Sequence, residues 1–204
     1  MVLTNISEKT LKTISVEIKE DSLFIHDQLR KGHEAALEFL FLLNEKFVDS
    51  DGAPHAGTTL SAAAWLTGAS LYQSFENKEN SRPGVTIMPQ DVNREWENLV
   101  YLLEHYNFQK ADIPVGRVVL AAMAAPPFFR PQVGMGHVQS ELQEQYDTVM
   151  KKHGFDPQGG AHVGVILCSI LIQQFSQAGI IDVEAATGVV AQRIFEATIQ
   201  CILL

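Results

Sequence analysis

Apolar residues recur along most of this chain at intervals of three and four, the spacing that lines one face of an α-helix. A first helix is expected after Ser7, a serviceable N-cap, with Leu11, Ile14, Ile18, Ile25 and Leu29 in register. Gly32 either ends that helix or bends it, and a second helix spans 33–47 with Leu37, Leu40, Phe41 and Leu43 inward. A third is expected over 56–75, a polar loop over 76–89, and a fourth helix over 91–106 with Trp96, Leu99, Val100 and Leu103 on its apolar face. Pro114 opens a short fifth helix that stops at Pro126-Pro127. The sixth covers 137–153 with Gly154 as its C′ residue, the seventh starts near Pro157 and ends at Gly179, and the eighth runs from Asp182 to the C-terminus. Only Val85-Thr86-Ile87-Met88 has strand character, fenced by Pro83-Gly84 and Pro89. The expected fold is therefore all-α, with about eight helices in a single orthogonal or up-down bundle and residues 1–204 forming one domain.

Landmarks repeat between the halves. His33 opens one helix and Pro54-x-x-Gly57 the next, as His137 and Pro157-x-x-Gly160 do later; Asp91-Val92 and Asp182-Val183 then open a third in each set. Either similar helical hairpins share boundary residues for local reasons, or 33–106 and 137–203 are an internal repeat, giving two pseudo-symmetric four-helix halves. Gly57, Ser61, Ala64 and Gly68 share one helix face, as do Gly160, Gly164 and Cys168. Such stripes let backbones approach closely, which makes the third and seventh helices an expected central pair.

Composition narrows the classes. With 46% hydrophobic and 19% charged residues in 204 positions, the chain is globular and long enough to need no disulfide or metal staple. A net charge of -9, with 15 basic residues spread thinly, argues against nucleic acid and against an anionic membrane surface. Residues 1–20 interleave Lys and Glu and lack the apolar core of a signal peptide. The longest apolar run, 163–172, falls short of the roughly 18 residues a membrane span needs. Cys168 and Cys201 sit in apolar helical segments and read as free, buried thiols, which fits a cytoplasmic setting.

Catalytic motifs are not legible. There is no P-loop, no dinucleotide fingerprint after a strand, no Gly-x-Ser-x-Gly elbow and no His-Glu-x-x-His. His26 and His33 near Asp27 and Glu34, and Glu141, Glu144 and Asp147 at every third residue, read as solvated helix faces rather than metal ligands. No metal and no cofactor is expected.

Two helix starts are the candidate ligand sites. His55, Gly57, Thr58 and Thr59 open the third helix, and Gly159, Gly160 and His162 the seventh. A helix N-terminus offers unpaired N–H donors and partial positive charge to an anion, although threonines there also simply cap their own helix. Parallel packing of the two helices would join the starts into one cleft; antiparallel packing would separate them. Phe128, Phe129 and Arg130, in a loop rich in Pro and Gly, either plug the core or form a partner surface. The apolar C-terminal residues Ile199 to Leu204 need a core or a partner, which suggests a homodimer. Two functions follow: a self-associating or partner-binding helical module without catalysis, or a sensor or enzyme with a small-anion pocket at the two helix starts.

Overall fold

The computed structural model describes residues 8–48, 52–75, 90–108, 131–132 and 134–203. The fold is all-α. Among the described residues there are six helices: α1 (Glu8–Lys46), α2 (Ala56–Gln73), α3 (Gln90–Asn107), α4 (Met135–Lys152), α5 (Pro157–Gln177) and α6 (Val183–Leu203). The expected short helix after Pro114 and the strand-like Val85–Met88 lie outside the described residues.

The first two expected helices are one. α1 runs 39 residues without a break, roughly 58 Å at 1.5 Å per residue. Gly32 stays helical because it serves packing rather than termination. A Cβ there would lie 3.3 Å from Ile166, 3.7 Å from Val163 and 3.8 Å from Phe155, so its bareness lets α1 settle on the start of α5.

The other boundaries follow the expected local chemistry. Asp156 accepts a 2.7 Å bond from Gly159 N, with Pro157 in the first turn of α5. Asp182 accepts from Ala185 N at 2.9 Å as the cap of α6. Gly154, at φ 81°, closes α4 with the paired bonds Phe155 N to Met150 O and Gly154 N to Lys151 O. That left-handed position after a helix is the one glycine fills without strain.

α2 is the centre of the molecule, buried from Ala56 through Leu71. It packs against α5 and α6 and, less extensively, α4; α1 rests on α5 and α4, and α3 on α5 and α6. Ser70 lies beside Gly160, and Thr67 beside Gly164 and Cys168, so α2 and α5 run antiparallel. α1 and α4 are antiparallel as well: Glu38 pairs with Lys152 and His153, and Lys46 with Glu141. α5 is long and apolar enough to cross a membrane by composition, and 61% of its most apolar window is buried inside the bundle.

Of the residues expected inward on the 33–47 segment, Leu40 and Leu43 are buried. Leu37 and Phe41 are not: they are 37% and 69% exposed. The inward face is instead Ala35, Ala36, Phe39, Leu40, Leu43 and Phe47. Residues 35–43 contain eight apolar side chains in nine positions, more than one buried stripe can take, so the surplus faces solvent.

Candidate functional site

The start of α2 is wired by its own residues. His55 is the N-cap, and its Nδ1 accepts from Thr58 N at 3.1 Å. Thr58 Oγ1 lies 2.7 Å from the same nitrogen and itself accepts from Gln132 N at 2.9 Å. Thr59 Oγ1 donates to His55 O at 3.0 Å, and Thr58, Thr59 and Gly57 are buried. Of the amides at this helix start, Thr58 N is met by the imidazole and Thr59 N by the carbonyl of His55.

The start of α5 carries its own anion. The Asp156 carboxylate sits on the N-terminal amides, Gly159 is crowded by the Phe155 ring, and His162 Nδ1 lies 2.9 Å from Gln158 O, to which it donates. Because α2 and α5 are antiparallel, His55 and His162 belong to opposite ends of the helix pair. The geometry does not bring the two starts into one cleft.

The crossing of α2 and α5 is tight and polar. Thr67 Oγ1 donates to Ala63 O at 2.7 Å and lies 3.9 Å from Cys168 Sγ; Tyr146 Oη donates to Gly160 O at 2.7 Å. These hydroxyls occupy the space that Gly164 leaves: a Cβ there would overlap Thr67 Oγ1 and sit 2.8 Å from Tyr146 Oη. Gly68 faces α6 instead, against the carbonyl of Ile194 and Ala197. The two stripes therefore do not simply face each other, and Gly68 is spent on a different neighbour. Burial pushes the Cys168 thiol up to about 12 and the Tyr146 phenol well above its ordinary range. Cys168 is a free, buried thiol, while the side chain of Cys201 lies outside the described residues.

Three of the carboxylates read as solvated faces, Asp27, Glu34 and Glu141, are engaged with bases, while Asp147 accepts from the Gln143 amide. Asp27 bonds Lys31 and Arg30, which hold its carboxyl below the usual range, and Glu34 bonds Arg30. Glu141 is lowered by Lys46 and also meets His137 at 3.0 Å. Among the described residues no group of three or more His, Cys, Asp or Glu side chains is arranged to hold a metal. Glu104 is different. It is 5% exposed, its Oε1 has no hydrogen-bond partner, and burial raises its carboxyl.

The outer side of α1 carries what the sequence reading missed. Leu29, His33, Leu37 and Phe41 follow each other at intervals of four, and all are exposed, Leu29 by 54%. Two apolar grooves border the start of this row, at Leu29 and at His33. One, of about 550 Å³, is lined by Leu29, Gly32, Leu102, Phe155, Val163 and Ile166 among others. The second, of about 540 Å³, is lined by His33, Leu40, Tyr106, Ile166 and Ile170 with a rim of glutamines. They share Tyr106 and Ile166 and so form one trough between α1, α3 and α5. His162 and Gly159, expected at an anion site, line the first groove. Phe128, Phe129 and Arg130 lie outside the described residues.

Comparison with family models, with curated proteins and with solved structures finds no match to this chain.

Proposed function

We propose that this chain is a helical interaction module that self-associates or binds a protein partner through the outer face of α1. One observation carries the reading: three large apolar side chains of one helix, Leu29, Leu37 and Phe41, are exposed in a single row that starts, at Leu29, on an apolar trough. Isolated exposed hydrophobics are ordinary, but a contiguous row bordering a groove marks an interaction surface. The small-anion reading has less behind it, since both helix starts are capped by the protein's own groups. Light scattering on the full chain across the micromolar range tests the proposal. A mass of twice the chain, or a trend toward it, is expected for self-association. A monomer throughout leaves only the hetero-partner form of the reading.

We also propose that 33–106 and 137–203 are related by a pseudo-two-fold axis. Exchanging α1 with α4, α2 with α5 and α3 with α6 maps the α1–α5 contact onto α4–α2 and the α3–α5 contact onto α6–α2, and each of these pairs exists. An experimental structure whose two segments fail to superpose would remove this proposal.

A further inference from the structure

No further inference is drawn: the strongest candidate, the apolar trough between α1, α3 and α5 with the exposed row of α1 that starts on it at Leu29, has nothing in the structure to show what covers it.

Discussion

Glu104 is the residue whose environment contradicts its chemistry most plainly. It lies on α3 next to Leu103, nearly removed from water, with one carboxylate oxygen unpartnered. Charging such a group costs free energy, so its carboxyl is raised in the folded state. Below the ordinary carboxyl range both folded and unfolded chains are protonated and nothing is lost. As pH rises through the raised value the folded state must bury a charge, and stability falls. Glu104→Gln should therefore melt above the wild type near neutral pH. The gain should vanish below about pH 4, where the unfolded carboxyl is itself protonated. A constant difference across that range, measured by calorimetry, would assign the effect to something other than charge burial. The periodicity of α3 places Glu104 on the apolar face, four residues after Val100, and the packing of the other helices closes over it.

At the scale of elements, the central pair α2 and α5 was legible from small residues at helical spacing, and its direction was not. Stripes of glycine and alanine say that something approaches closely without saying from which end. The structure answers with hydroxyls: Thr67 and Tyr146 fill the furrow at Gly164, and the antiparallel run follows from Ser70 meeting Gly160. Gly164→Leu should then cost on the order of 1–3 kcal/mol or more, because the added carbons fall on Thr67 and Tyr146 in a packed interior. Gly164→Ala should already be destabilising, since even a Cβ overlaps Thr67 Oγ1. Chemical denaturation reads both, and a wild-type midpoint for Gly164→Leu would contradict the crossing. The start at Pro157, the boundary at Asp182 and the left-handed Gly154 were legible because they are set by local chemistry, while the cap at Asp156 was not singled out. The continuity of α1 was not. Glycine is a common helix ending, and only the approach of Val163, Ile166 and Phe155 explains why Gly32 stays within the helix.

For the whole molecule, the same distinction separates core from surface. The pattern identified an all-α fold, and Leu40, Leu43, Leu99, Val100 and Leu103 as core, but it also counted Leu37 and Phe41 as core, because eight apolar residues in nine give no preferred face. The tertiary arrangement decides which of them are spare, and the spare ones form the proposed interface. Like-charged copies at a net charge of -9 repel at low ionic strength, and salt screens that repulsion. An association driven by Leu29, Leu37 and Phe41 should accordingly hold or strengthen with salt, whereas an anion-led contact would weaken. Binding that favours the folded chain also makes stability depend on concentration. The most direct measurement is the melting temperature of the wild type and of Phe41→Glu over a hundredfold range of protein concentration. The account predicts a midpoint that rises with concentration for the wild type and stays flat for the variant. Flat midpoints for both, or parallel rises, would contradict it.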